Sequence, residues 1–190
     1  MRRVSDPQPA EQATRYQPLP PEQRPHKQRS AVRVVVQAGD EVLLFEDSDP
    51  GYPGITWWVV PGGGIDPGET AARAAVREVA EETGLQITEH QLIGPISRRL
   101  AVHGYSDQVL EQTEDFYLVR VPRFVVDTAG FTEDEKITLQ SHRWWPLAEL
   151  RTTTAWIWPR YLLELIGWAD EPDGWVHELG RETDESTLAV

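Results

Sequence analysis

Three glutamates define the chemistry this chain could perform. Glu78, Glu81 and Glu82 stand at i, i+3 and i+4 within Arg77-Glu78-Val79-Ala80-Glu81-Glu82-Thr83-Gly84, so a helix there carries them on one side. In an isolated helix such like-charge pairs cost about 0.2–0.5 kcal/mol each. A divalent cation reverses that sign. Mg²⁺ takes oxygen ligands, keeps several waters, and binds through one or two carboxylates together with substrate phosphates. Arg77, four residues before Glu81 and next to Glu78, can orient a carboxylate. The preceding stretch, Gly62-Gly63-Gly64-Ile65-Asp66-Pro67-Gly68-Glu69, allows carbonyls to approach a metal or N–H groups to approach a phosphate.

Residues 70–83 read as the helix that positions these groups, with Gly84 stopping it. On a wheel at 100° per residue, Ala72, Val76, Val79, Ala80 and Thr83 form the expected core face. The glutamates fall on the other side, flanked by Ala71, Ala74 and Ala75. Upstream, Ala31-Val32-Arg33-Val34-Val35-Val36 and Val42-Leu43-Leu44-Phe45 read as a hairpin across a turn containing Gly39-Asp40. Trp57-Trp58-Val59-Val60 is a short strand. Further strands are expected from Leu92, over residues 116–121 and at Arg143-Trp144-Trp145, with helices over residues 146–150 and 159–166. One early helix and one late helix among strands, without strict βαβ alternation, indicate an α/β fold with a mixed sheet between helices.

The ends differ from this middle. Residues 1–29 are rich in Pro, Gln and Arg and read as an unstructured arm, residues 30–169 as the folded domain, and residues 170–190 as a loose acidic tail. The chain of 190 residues carries 18 basic and 31 acidic side chains, a net charge of −13. That balance counts against nucleic-acid or anionic-membrane binding. No cysteine is present, which removes disulfide scaffolds, thiolate zinc sites and cysteine nucleophiles. Met1-Arg2-Arg3-Val4-Ser5-Asp6-Pro7 is followed by no apolar run, and no stretch approaches 18 consecutive apolar residues. No secretory leader or membrane span is therefore expected, and the expected location is cytoplasmic.

Glutamate-rich helix faces are usually solvated and Gly-Gly-Gly is usually a flexible turn. The joint spacing is what carries weight here. Gly63, then Glu69, Arg77-Glu78-Val79, Glu81-Glu82 and Gly84-Leu85 fill every specified position of the Nudix box. A chance match is on the order of 10⁻⁹ to 10⁻⁸ per start point at ordinary residue frequencies. The chain thus resembles the Nudix hydrolases. Trp58 to Gly64 and the later Trp-Trp-Pro-Leu-Ala-Glu-Leu run, residues 144–150, extend the similarity. The resemblance implies an α/β/α sandwich around a mixed sheet. It also implies metal-dependent hydrolysis of a nucleoside diphosphate linked to another moiety, releasing a nucleoside monophosphate or equivalent.

By the same resemblance, Glu78, Glu81 and Glu82 are metal ligands with the Gly63 carbonyl as an extra ligand. Mg²⁺ or Mn²⁺ suits the all-oxygen set better than zinc. Arg77 orients the glutamates and Glu69 supports the site. The general base is open among the box glutamates, Glu111, Glu114, Glu133 and Glu135; Glu114 is marked because it directly precedes a strong strand, and Glu133 and Glu135 because their loop could close over substrate. Trp58, Glu69, Tyr105 and Glu133 are the substrate-contact candidates. The partner is a small nucleotide, with a homodimer expected from the family's habit and the Pro-rich arm. Subfamily markers are mostly missing, so the substrate stays open between nucleoside triphosphates and nucleotide sugars. Competing classes are an inactive nucleotide-sensing module, which usually has an eroded box; isopentenyl-diphosphate isomerase, which needs a cysteine; and RNA decapping, which the acidic balance disfavours.

Overall fold

The computed structural model describes residues 17–189, so the part of the expected arm before Gln17 lies outside the described residues. Eight strands form one mixed sheet. They are β1 (His26–Ala38), β2 (Glu41–Ser48), β3 (Thr56–Val59), β4 (Ile93–Gly104), β5 (Val109–Arg120), β6 (Ser141–Pro146), β7 (Ile157–Trp158) and β8 (His177–Glu182). The order is β7-β3-β2-β1-β5-β4-β8, with β6 also paired to β2. The helices are α1 (Ala71–Thr83), α2 (Glu135–Thr138), α3 (Leu147–Leu150) and α4 (Leu162–Trp168).

Alternation along β1 builds the sandwich. Val32, Val34 and Val36 enter one buried cluster with Ala74, Ala75 and Val79 of α1. Val35 enters a second with Leu162 and Leu165 of α4. A strand buried on both faces needs such a β-branched run.

The β1–β2 hairpin is short: only Gln37↔Val42 and Ala38↔Glu41 pair, across a turn where Gly39 takes φ 62°. β1 then turns to β5, with which it runs parallel from His26 to Gln37. The edge released by β2 is filled by the glycine run. Val34 N–H donates to the Pro61 carbonyl (2.8 Å), Val32 N–H to the Gly63 carbonyl (2.9 Å), and Ile65 N–H to the Ser30 carbonyl (3.0 Å). The glycine loop is therefore fixed to the sheet and is no flexible turn.

Helix α1 starts at Thr70, whose side chain accepts from Arg73 N–H, and ends at Gly84 in the left-handed region (φ 73°). Both ends agree with the sequence; the buried face does not. Ala74, Ala75, Glu78, Val79, Glu82 and Thr83 are buried, whereas Ala72, Val76 and Ala80 are half-buried. A wheel that sets the glutamates and their flanking alanines opposite the core misplaces this face, because Glu78 and Glu82 turn in toward the glycine loop and Ala74 and Ala75 pack on the sheet.

The region expected to be a loose acidic tail contains β8, parallel to β4 through Ser97↔His177 and Ala101↔Glu182, and beyond it the fully enclosed Glu185, 2% exposed. Polar composition hid this segment, because its inward groups are satisfied by ion pairs and hydrogen bonds. At the other end, β1 starts at His26, before Ser30.

Candidate active site

Glu78 and Glu82 project from α1 one turn apart, and Glu135 approaches from α2. Carboxylate oxygens of these three lie within 4.8 Å of one another. Each of the two helix positions is locked by the glycine loop. Glu82 Oε2 accepts Gly62 N–H at 3.0 Å. Glu78 lies so close to Gly63 that a Cβ added there would sit 2.7 Å from its carboxyl carbon and both oxygens. Gly62 itself takes φ 138° and packs against the β1 backbone, where a Cβ would meet the Val32 carbonyl oxygen at 2.1 Å. Two of the three glycines are therefore required on separate grounds, one by conformation and the other by space.

Burial raises the Glu78 pKa, against the opposing pull of Arg77. Burial raises that of Glu82 well above the carboxylate range, and the Glu78 charge adds to it. Of the three carboxylates only Glu78 has an ion-pair partner, Arg77, and the buried Glu82 faces the charges of both others. This all-oxygen set fits a hard divalent cation.

Arg77 organises the rim. Its Nε and Nη2 donate to the two Glu69 oxygens (3.1 and 2.9 Å), Nη1 to Glu78 (2.6 Å) and Glu81 (3.1 Å), and Nη2 to the Gly64 carbonyl (2.8 Å). The Glu69 carboxylate raises the Arg77 pKa despite partial burial, and the same contact lowers that of Glu69. One guanidinium thus joins the glycine loop, the segment before α1 and two helix glutamates.

Beside this cluster lies a cleft of about 450 Å³, lined by Lys27 and Arg29 from β1, Asp47 from β2, Tyr105, and Asp134 and Thr138 next to Glu135. Lys27 and Arg29 have no carboxylate partner among the described residues. Most other cations are paired, including Arg33, Arg77, Arg98, Arg99, Arg120 and Arg143. Asp47 is pushed up to about 6 by burial, with Ser48 N–H and Arg33 pulling the other way.

A Nudix-domain model matches residues 27–166. The chain belongs to the Nudix family. Among its relatives, the asymmetrical bis(5'-nucleosyl)-tetraphosphatase of Mus musculus is 32% identical over 109 residues, 57% of this chain and 66% of that one. Diphosphoinositol polyphosphate phosphohydrolase 2 of Homo sapiens is 43% identical over 75 residues, 40% of this chain and 39% of that one. In both, the match covers less than two thirds of the relative. Among solved structures, the E. coli dihydroneopterin triphosphate pyrophosphohydrolase superposes with a TM-score of 0.54 at 25% identity, over 76% of this chain and 99% of that one.

With the box placed in the fold, its residues separate into two groups. Glu78 and Glu82 enter the carboxylate cluster. Glu81 does not: its side chain is 45% exposed and held by Arg77, because one residue of helix rotates it away from Glu82. The third place belongs to Glu135. The chain carrying it is docked on the end of α1, where Asp127 N–H donates to the Thr83 carbonyl at 2.9 Å. Gly130 approaches the Glu81 carbonyl so closely that a Cβ would lie 2.3 Å away. The Gly63 carbonyl is already an acceptor for Val32 N–H, so a metal would have to use its second lone pair.

The remaining candidates scatter. Glu114 is wholly buried between Arg33 (2.8 Å) and Arg99 (2.6 Å). Burial alone would raise its pKa, but Arg99 and Arg33 outweigh that and hold it below the carboxylate range. An anion so held is a poor proton acceptor, and Glu114 lies inside β5 and not just before a strand as expected. Glu133 is exposed and paired with Lys136; its neighbour two residues on is the one at the cluster. Trp58 packs edge-on against Trp145 at 5.1 Å, in the layer under α4. Glu69 is engaged with Arg77 and Asp66 N–H. Of the four substrate-contact candidates, Tyr105 alone lines the cleft.

Proposed function

We propose that this chain is a divalent-metal-dependent pyrophosphohydrolase acting on a small nucleoside diphosphate derivative. The observation that carries the reading is the convergence of Glu78, Glu82 and Glu135 beside a cleft whose wall carries Lys27 and Arg29, neither in an ion pair among the described residues. Glu78 and Glu82, with the second lone pair of the Gly63 carbonyl, would hold Mg²⁺ or Mn²⁺, while Glu81 stays on the exposed rim with Arg77. The ion supplies Lewis-acid polarisation of a phosphoryl oxygen and neutralises developing charge. Arg77 keeps Glu78 and the glycine loop in register for that ion. Arg29 and Lys27 bind the anionic part of the substrate along β1, where residues two apart share a face. The Glu135 carboxylate, opposite the box glutamates, accepts the proton of the attacking water. Glu114 keeps Arg33 in place instead. Tyr105, which lines the same cleft, packs against the nucleoside.

The named relatives act on tetraphosphates, triphosphates and diphosphoinositol compounds, and a phosphoanhydride is the common element. That breadth supports the bond cleaved and leaves the leaving group to the cleft.

The deciding experiment measures phosphate and nucleotide release from a panel of nucleoside triphosphates, dinucleoside polyphosphates and nucleotide sugars. Wild type and Glu82→Gln are compared with Mg²⁺, with Mn²⁺ and with chelator. Turnover by wild type that is lost with chelator and in the variant supports the reading. Tight nucleotide binding without turnover of any substrate overturns it in favour of a sensing module.

A further inference from the structure

The segment after β8 is fastened across the end of β4. Gly104 N–H donates to Ser186 Oγ (2.9 Å), Ser186 Oγ to the Val102 carbonyl (2.9 Å), and Thr187 Oγ1 to the Gly104 carbonyl (2.7 Å). Between β8 and these anchors, Glu185 turns inward, its side chain 3% exposed. Its Oε1 accepts Arg160 N–H at 2.8 Å. Its Oε2 lies 2.8 Å from Arg99 Nη2. Its backbone carbonyl lies 2.6 Å from His103 Nδ1, and because a carbonyl only accepts, that nitrogen carries the proton.

Arg99 does not stop there. Its Nε donates to Glu114 Oε2 (2.6 Å), and its guanidinium is enclosed by the Phe116 and Tyr161 rings at 5.3 and 5.5 Å. Glu114 Oε1 accepts Arg33 Nε (2.8 Å), and Arg33 Nη1 donates to the Gly62 carbonyl (3.1 Å). Gly62 N–H is the group bound by Glu82. One file of contacts therefore runs from Glu185 through Arg99, Glu114, Arg33 and Gly62 to the carboxylate cluster. Its four ionic side chains are 3, 2, 0 and 17% exposed and sum to zero charge. Balance is the key property. Without the Glu185 charge, the buried Arg99 depends on Glu114 alone and draws the shared carboxylate toward itself, since few waters can replace the lost partner. The contact of Arg33 with the other Glu114 oxygen, and with it the hold on Gly62, is loosened.

A second branch points to the same cleft. Thr187 Oγ1 is 3.3 Å from Asp49 Oδ2, and Asp49 accepts both the N–H and the hydroxyl of Ser106 (2.6 and 2.5 Å). Ser106 follows Tyr105 on the cleft wall.

We propose that Glu185 is a positioning residue of the active site, and that the segment bearing it is a clasp that fixes Gly62 through its carbonyl and so keeps its N–H on Glu82. The proposal rests on the hydrolase reading for its consequence but not for its geometry.

The test uses the full chain with Glu185→Gln, Arg99→Lys as the next link, and Glu178→Gln, an exposed residue of β8, as control. Hydrogen exchange over residues 60–66, Mn²⁺ affinity, kcat and KM are compared. Glu185→Gln is expected to speed exchange at 60–66 about tenfold relative to β1 and β5, and to weaken Mn²⁺ about tenfold, the usual scale for outer partners of a metal ligand. kcat should fall more than KM changes, and the control should match wild type. Wild-type exchange at 60–66 in a folded Glu185→Gln overturns the proposal, as does an equal acceleration throughout the sheet. If that variant does not fold, wild-type exchange at 60–66 in Arg99→Lys overturns it. An inactive wild type whose variants still show the exchange difference would instead overturn the hydrolase reading alone.

Discussion

Replacing Gly63 with alanine separates folding from catalysis. Gly63 is absent from the glycines with positive φ, so its backbone accepts a side chain without strain. The obstacle is the Glu78 carboxylate, 2.7 Å from the new Cβ, where ordinary contact begins at 3.4 Å. The carboxylate must retreat by roughly 0.7 Å, against a 2.6 Å bond from Arg77. Only the end of one side chain moves, so the stability cost should be about 1 kcal/mol, the scale of an off-rotamer side chain. Catalysis is less tolerant. Mg²⁺ demands near-ideal octahedral geometry at about 2.0–2.1 Å, and a misplacement of about 1 Å can cost on the order of 10²-fold. Gly63→Ala should therefore unfold within a few degrees of wild type yet lose about 10²-fold in kcat/KM with Mg²⁺. Gly62→Ala is the contrast, since its Cβ meets backbone at 2.1 Å and its φ is 138°; it should fail to fold or lose several degrees in Tm. Thermal unfolding and steady-state kinetics on the same preparations decide. A Gly63→Ala enzyme within threefold of wild type would refute the placement of Glu78 at the metal.

Glu135→Gln should lower kcat by about 10²–10⁴-fold, the scale of a lost general base, whereas Glu133→Gln should be silent; equal effects in steady-state assays would discard Glu135 as the proton acceptor. Arg77→Lys keeps the charge but loses the planar fork that holds Glu69, Glu78 and the Gly64 carbonyl together, so Mn²⁺ affinity by calorimetry should fall about 10–100-fold; unchanged affinity would reduce Arg77 to a surface ion pair. Asp47 carries a pKa raised to about 6 in the fold, so its ionised form weakens the folded state as pH rises from the unfolded carboxylate value through 6. The Tm of Asp47→Asn should accordingly gain on wild type between pH 5 and pH 7.5, and a pH-independent difference would show that the fold does not raise the Asp47 pKa.

Whatever depends on local chain chemistry could be read from residues alone. The valine run of β1, the Val42-Leu43-Leu44-Phe45 run of β2, the Thr70 cap and the Gly84 stop act over a few neighbours, and the box spacing identifies the helix and glycine loop that work together. The role of Glu135 could not be read that way. It depends on a Gly130 backbone pressed onto the end of α1, a contact between residues some fifty apart in the chain. Glu133 and Glu135 look alike in sequence, and only the docking of that loop separates an exposed partner of Lys136 from a member of the cluster. Glu114 shows the converse. Alternation can place it on a strand, but two arginines from β1 and β4 decide that it is an anchored anion. Glu185 combines both difficulties, since acidic composition normally signals solvent exposure. An acidic segment can enter a core when each inward charge meets a cation whose own burial needs it. Arg99, 2% exposed and enclosed by two rings, creates that need, and neither residue of the pair would be expected inside without the other.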